Sequence, residues 1–492
     1  MKRILCLALV LLMLLPMVIS CARDEGEGAE TGAATTGGDV AGGGEEEKID
    51  LLTTIPAANY NGRKFIMTVQ SQHEAQIKAD ELTGETANDT VFAWLSRIET
   101  VYGVDVEPNV PAEGEAYFTA VTNENSSGMA VKTAIYGHNA FELYKVVTQG
   151  AYKNWLDMGD MIDLKAERWD QIINNDATYN GVLYGLTGDL GYSKLQGAMA
   201  TYFNIALLDE IGYSDKDLYK MVDDKEWTFD TFYNIVKQVY IDSDYDGKKS
   251  YDDTYGYVTI SDNSHDIWLT QFGIGLTSRD DENKITPTLY TPDNVDVIDM
   301  LINFYHENNS IASYTAGQTG KVYEDGYFSD GRAAMITTRL SYAKQFAEDL
   351  GVDEYGILPG PLRNEDQPEY LTKLFEQYAI WCVGKSILDE DKDFVAHITD
   401  ALCAESSQTL YPKFYDILMK QRYSKDPDTA RMVDTVMKNQ SLDSVYMFGK
   451  WLNAYPHIPR DCYRNGKSLT EAWDAIKESL PGKLEDMYEF YK

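Results

Sequence analysis

The chain reads as an α/β protein built on parallel strands, and three features predict it. Short apolar runs recur along the body: Lys64–Val69, Val131–Tyr136, Tyr255–Ile260 and Ala333–Thr337. Each ends in a polar or glycine-bearing loop, and a helix-like stretch follows, the alternation expected of α/β layers. No repeat of 20–50 residues interrupts this order, which excludes solenoids and propellers. In such sheets ligands gather at the loops beyond the strand C-terminal ends. The helix starts are equally clear. Thr228 caps a helix with Phe229, Phe232, Tyr233, Val236 and Tyr240 at helical spacing, Thr291-Pro292 opens another, and Ser468-Leu-Thr-Glu471 is a capping box for a third that Pro481-Gly482 interrupts.

At 492 residues the chain predicts at least two domains. It carries 43 Lys and Arg against 79 Asp and Glu, a net charge of −36. So acidic a surface repels phosphate backbones and anionic headgroups, which argues against nucleic-acid binding and polybasic membrane docking.

The first residues are an address. Met1-Lys2-Arg3 precedes an apolar run from Ile4 to Ile19. That run spans about 24 Å as a helix, short of a ~30 Å hydrocarbon core, so it fits a signal peptide better than a membrane span. It ends in Val18-Ile-Ser-Cys21, which resembles a bacterial lipobox and implies cleavage before a lipidated Cys21. The alternative is an ordinary secretory signal with Cys21 incidental. Residues 22–50 are mostly Gly, Ala, Thr, Asp and Glu, with no aromatic and almost no bulky aliphatic, a composition that reads as a flexible acidic tether. The folded body is expected to begin near Asn59. Cys382, Cys403 and Cys462 show no zinc spacing and allow at most one internal disulfide, with Cys382 in an apolar run that favours a buried free thiol.

Catalytic signatures are absent: no G-x-S-x-G, H-E-x-x-H or G-x-x-x-x-G-K-[ST] occurs, and Gly273-Ile-Gly275 is not completed to a dinucleotide fingerprint. One constellation is specific. Asp242-Ser-Asp-Tyr-Asp246-Gly-Lys-Lys-Ser-Tyr-Asp-Asp253 has the oxygen-ligand register of an EF-hand-type calcium loop, with Asp242, Asp244, Asp246, the Lys248 carbonyl and Asp253 as ligands. Asp253 departs from the usual Glu, and the strand-like Thr254–Val258 replaces the second helix, so a structural Ca²⁺ is implied at most. The alternative is an Asp-rich turn held by side-chain-to-backbone bonds.

Phe203-Asn-Ile-Ala-Leu-Leu-Asp-Glu-Ile-Gly212, Glu226-Trp-Thr-Phe-Asp230, Asp253-Thr-Tyr-Gly256, Phe328-Ser-Asp-Gly-Arg-Ala-Ala-Met335 and Tyr355-Gly-Ile-Leu-Pro-Gly-Pro361, in this order and spacing, resemble bacterial extracellular solute-binding proteins of family 1. These are carbohydrate receptors of ABC importers, related in fold to maltose-binding protein. The resemblance implies a two-lobed, type II periplasmic-binding-protein-like fold with a hinge and an interlobe cleft. The signal peptide would be 1–20 and the lipidated tether 21–58. Lobe one would be 59–197 with 370–408, and lobe two 200–368 with 410–492. Strand ends and family topology then place Gln70, Gln72, His73, Glu74, Tyr136 and His138 on lobe one's side of the cleft. Asp262, Asn263, His265, Asp266, Trp268, Arg339, Tyr342 and Trp451 would face them from lobe two, with Tyr378 and Trp381 at the hinge. The implied protein is no enzyme: a monomer on the outer face of a bacterial cell membrane, held by lipid alone, passing a sugar or oligosaccharide to ABC permease subunits. A secreted glycan hydrolase using a carboxylate pair is the competing reading.

Overall fold

The computed structural model describes residues 49–127, 132–259, 262–281, 284–313, 325–416, 420, 424 and 426–491. The apolar runs become strands of two separate sheets. In the first, β1 (Arg63–Val69), β2 (Val104–Asn109) and β3 (Thr133–Asn139) are parallel, and the order is β2-β1-β3-β14-β4, with β4 (Tyr152–Lys153) at the edge. The fourth strand in that order, β14 (Ala379–Gly384), comes from far along the chain and runs antiparallel, with Cys382 opposite Tyr136 and Ala379 opposite Asn139. Helices Thr86–Tyr102, Gly114–Ser126 and Lys392–Glu405 pack on this sheet.

The second sheet holds β5 (Met199–Asn204), β7 (Thr254–Thr259), β10 (Ile311–Ser313), β11 (Ala333–Arg339) and β12 (Tyr355–Leu358) in the order β10-β7-β11-β5-β12, with β6 (Tyr240–Ile241) pairing β7. Strands β10, β7 and β11 are parallel, and β5 is antiparallel to β11 and β12. A hairpin, β8 (Thr277–Arg279) with β9 (Ile285–Pro287), stands outside both sheets. Between strands, Thr228 caps the helix Phe229–Val236 by accepting from the Thr231 N–H, and Thr291 caps Pro292–His306. Ser468 caps Leu469–Asp474, which stops well before Pro481, and Pro481 falls in the first turn of a new helix, Leu480–Glu489, so it starts an element and ends none. The helix Phe229–Val236 lies so close on β7 that a Cβ at Gly256 would meet the Val236 carbonyl oxygen at 1.7 Å.

Two of the chain's crossings between the sheets pair with each other. Ala198 bridges Leu374 in antiparallel sense, and the Phe375 N–H donates to the Gly197 carbonyl at 2.8 Å. Beside them β13 (Thr372–Lys373) pairs in parallel with β15 (Gln440–Ser441). The ordered body begins before Asn59. Leu52 and Ile55 are buried, Asp50 caps a 3-10 turn, and the Leu51 N–H donates to Gln408. Three aliphatics in five residues suffice to dock this stretch after the acidic run. Cys382, Cys403 and Cys462 are all buried and free.

Candidate functional site

The crossing strands bring in the C-terminal ends of β3 and β11, Asn139 pairing with Ala379 and Arg339 with Met199. On the first sheet the residues leaving β1 and β3 form one buried polar network. Gln70 donates to a Glu142 oxygen and accepts from the Asn139 N–H, and the Asn139 amide donates to the same Glu142 oxygen. The His73 Nε2–H donates to Asn139, and its Nδ1 accepts from Gln76. That arrangement specifies a neutral ring, and burial pushes the His73 pKa down to about 4. Glu142 connects outward to Lys145 at 2.9 Å. Gln72 is exposed beside this network, and Glu74 is half-buried and paired with Lys78 at 2.7 Å.

On the second sheet, Arg339 ends β11 at the crossing. Its guanidinium lies 4.8 Å from the Phe375 ring centre and 5.1 Å from that of Tyr342. It donates to Gln377 at 3.3 Å and to the Tyr342 hydroxyl at 3.2 Å, both neutral acceptors. Gln377 is exposed while its neighbours Glu376 and Tyr378 are buried, so it is the crossing-strand side chain open to a ligand. Deeper in the seam lies an ionic cluster. Asp266 pairs with Arg460 at 2.9 Å and with His457 at 3.2 Å, and Lys373 pairs with Glu376 at 2.8 Å while lying 4.1 Å over the Tyr446 ring. Burial alone would raise the Asp266 pKa, but the charges of Arg460 and His457 hold it below the usual carboxylate value.

Four expected ligand contacts lie in the lobe cores. Tyr136 is fully buried, and its hydroxyl donates to Glu124 within the first lobe. His138 is fully buried and stacks on Tyr152, whose hydroxyl donates to its Nε2 at 2.9 Å; burial pushes its pKa down to about 4. Trp268 is fully buried among Phe229, Phe232, Tyr257 and Phe304, and its indole N–H donates to Tyr305. His265 is buried against the Tyr305 ring. Parallel strands and the helices over them are covered on both faces, so an aromatic at a strand end goes inward as readily as outward. Trp381 and Tyr378 are likewise buried, the former donating to the Leu190 carbonyl. Asp266 is committed to its ion pairs, Arg339 and Tyr342 are at the seam, and Trp451 lines a separate cavity. Asp262 and Asn263 fall in the short helix Asp262–His265, with side chains outside the described residues, as is Cys21. Sequence reasoning missed Gln377, Lys373, Glu376 and Arg460.

In the acidic loop, Asp242, Asp244 and Asp246 converge, one oxygen of each lying within 4.8 Å of the others. Asp242 Oδ2 accepts from the Gly247 N–H at 2.9 Å, and Asp246 Oδ1 from that of Lys248 at 2.7 Å. Asp242 Oδ1 is buried without a partner, a fit for a hard cation. The bond from the Asp246 N–H pulls the Asp244 carboxyl down, but desolvation and the negative neighbours Asp246 and Asp242 leave its pKa above the ordinary value. Asp253 stands apart from the convergence. It is fully buried and accepts from the Ser243 and Ser250 N–H groups, so it staples the loop.

No protein-family model matches the chain, and no curated protein does. Solved structures do. A cyclo/maltodextrin-binding protein complexed with maltotetraose aligns with a TM-score of 0.57 at 14% identity, over 87% of this chain and 98% of that one. An ABC transporter solute-binding protein from Thermotoga lettingae bound with α-D-tagatose aligns at 0.54 and 11% identity, over 86% and 100%. An ABC substrate-binding protein from Listeria monocytogenes in complex with cycloalternan aligns at 0.54 and 14% identity, over 87% and 99%. The chain therefore has the two-lobed α/β fold of ABC transporter solute-binding proteins of the maltose/maltodextrin-binding type.

The two neutral histidines make a pH prediction. A histidine pKa held near 4 in the fold and near 6.5 in the unfolded chain gives stability that is present above pH 6.5 and is lost as pH falls toward 4. Each should cost on the order of 3 kcal/mol by pH 4. Urea midpoints measured from pH 7 to 4 should fall, and His138→Gln should fall less steeply than wild type. Parallel slopes would show that His138 does not titrate on unfolding.

Proposed function

We propose that the chain is the lipid-anchored receptor of a bacterial ABC importer, binding a sugar or oligosaccharide between its lobes and presenting it to a permease. The observation that carries this is the crossing itself: Arg339, at the end of β11, lies against the Phe375 and Tyr342 rings and bonds the exposed Gln377 of the crossing strand. A saccharide needs hydroxyl-matching amides and cations together with aromatic faces, and these groups supply them. The three fold neighbours named above hold maltotetraose, tagatose and cycloalternan, all saccharides. Contacts from both lobes favour the closed form and so couple binding to closure. A thermal-shift screen of the mature chain against neutral glycans should give a hit, and calorimetry should show saturable binding with the sugar recovered unchanged. Arg339→Gln should weaken that binding at least tenfold. Product sugars formed in proportion to protein would make it a hydrolase.

The anchor is Cys21, on the strength of Val18-Ile-Ser-Cys21 and the acidic tether after it. Cys21→Ala should shift the protein from the membrane to the medium with its sugar affinity intact. Membrane retention and fatty-acid labelling like wild type would refute lipidation.

We further propose that Asp242, Asp244 and Asp246, with the Lys248 carbonyl, hold a structural Ca²⁺ that neutralises their mutual repulsion. Bound at 100 times its Kd, the ion would add about 2.7 kcal/mol. Chelator should lower the melting temperature, and Asp244→Ala should lose that response. A melting temperature unmoved by chelator in protein without bound metal would eliminate the site.

A further inference from the structure

The hairpin of β8 and β9 stands outside both sheets, and Asp443 pins it. Asp443 caps the 3-10 turn Ser444–Phe448, just after β15. Its Oδ2 accepts from the Leu276 N–H at 3.1 Å and the Thr277 N–H at 3.0 Å. Its Oδ1 accepts from the Thr277 hydroxyl at 3.0 Å and the Val445 N–H at 3.1 Å. The next residue reaches the first lobe. The Ser444 N–H donates to Asp176 Oδ2 at 2.7 Å, and Asp176 ends the helix Gln171–Asp176. Arg279, in β8, closes the ring by pairing with Asp176 at 3.7 Å. Hairpin, turn and first-lobe helix therefore meet on two carboxylates. The C-terminal helix adds uncharged contacts: the Tyr488 hydroxyl accepts from the Ile285 N–H, and the Asn180 amide donates to the Tyr491 carbonyl.

Two like charges in one junction make it sensitive to protons. Arg279 offsets Asp176, with its guanidinium 4.8 Å from the Tyr179 ring centre. The phenols of Tyr179, Tyr446 and Tyr455 face Asp443 as well, and burial holds each above its ordinary range, so none adds charge near neutrality. Burial of the carboxylate and the negative charge of Asp176 push the Asp443 pKa up to about 6, against the pull of its donors. Away from the junction, in water, the same carboxyl would titrate near 3.8. Protons favour the arrangement that binds them more tightly. Acid therefore holds the junction together and rising pH loosens it, the change falling between about pH 4 and about pH 6.

We propose that Asp176 and Asp443 make this junction a proton-held latch between the hairpin and the first lobe. The hairpin lies in the chain between β7 and β10, both strands of the second sheet, so the latch ties one lobe to the other. A proton on Asp443 removes its repulsion with Asp176 and leaves its second oxygen to the backbone donors. Without that proton the junction keeps its uncharged contacts and loses the ones that acid holds. The latch is a property of the fold and does not depend on what binds at the crossing, so it stands or falls apart from the receptor reading.

The test is hydrogen exchange of the mature chain, read at the Leu276, Thr277 and Ser444 amides that donate to the two carboxylates. Corrected for intrinsic exchange rates, their opening should be about tenfold more frequent at about pH 7.5 than at about pH 5. Asp443→Asn, neutral at every pH, should abolish that difference. The Asp443 carboxyl carbon resonance should titrate with a midpoint of about 6, and Asp176→Asn should move that midpoint down by about half a unit or more. These two midpoints decide the matter even where Asp443→Asn folds poorly. Opening that does not change with pH, or that changes equally in Asp443→Asn, overturns the latch. So does a wild-type midpoint in the ordinary carboxylate range, or one that Asp176→Asn leaves in place.

Discussion

The backbone pairing of the two crossings, Gly197–Ala198 with Leu374–Phe375, sets where everything else can be. One crossing runs into β5 at Met199 and the other into β14 at Ala379, so each enters its sheet at the start of an antiparallel strand. The parallel strands alongside must then end at the crossing. Val69, Asn139 and Arg339 finish beside the crossing for that reason, and Gln70, which follows Val69, bonds Asn139 there. The approach is close: a Cβ at Gly197 would lie 3.1 Å from the Phe375 carbonyl oxygen. A side chain at 197 would push apart the strands that hold the two sheets in register.

The seam is highly charged yet internally balanced. Asp266 with Arg460, Lys373 with Glu376, and Glu142 with Lys145 each bring opposite charges together. Buried ion pairs return little net stability because both partners lose their hydration, whereas removing one partner strands the other at a cost of about 3–5 kcal/mol. Their contribution is therefore geometric. They fix the walls of the seam and cancel one another's charge there. Arg339 is different. In a chain with 79 acidic residues, its hydrogen-bond partners among the described residues are an amide and a phenol. The Phe375 and Tyr342 rings lie against the guanidinium, and neither takes up its charge, so it can serve hydroxyl acceptors.

What was legible in the sequence follows from the same physics. The strands β1, β3, β7 and β11 were visible because an apolar run that stops abruptly at polar residues is how a strand buried on both faces must look. Thr228, Thr291 and Ser468 were visible because caps are local. Tyr136, His138 and Trp268 were misread because burial on both faces removes the alternation that would tell inward from outward. His138 even looks like a site residue in sequence, yet Tyr152 and Asn139 satisfy both its nitrogens inside the lobe. Lys373 and Glu376 were missed because the crossing strands are too short to carry a period. Their one signal was an i, i+3 charge pair inside the otherwise uncharged stretch from Tyr370 to Val383. Asp253 occupied a ligand's register but was drawn into backbone bonds, a competition that spacing does not display.

These distinctions separate residues that can govern binding from residues that merely support it. A ligand shifts a two-state equilibrium only through contacts that differ between the states. Tyr136 bonds Glu124, and Trp268 bonds Tyr305, each within its own lobe. Such contacts are the same whether the lobes are apart or together, so these residues can affect binding only through the stability of a lobe. Arg339 is of another kind: it reaches from β11 to Gln377 on the crossing strand, a contact between one lobe and the segment that joins the lobes, which lobe movement alters. Selectivity in a two-lobed receptor therefore has to reside in residues placed as Arg339 is, at the crossing and not in a lobe core.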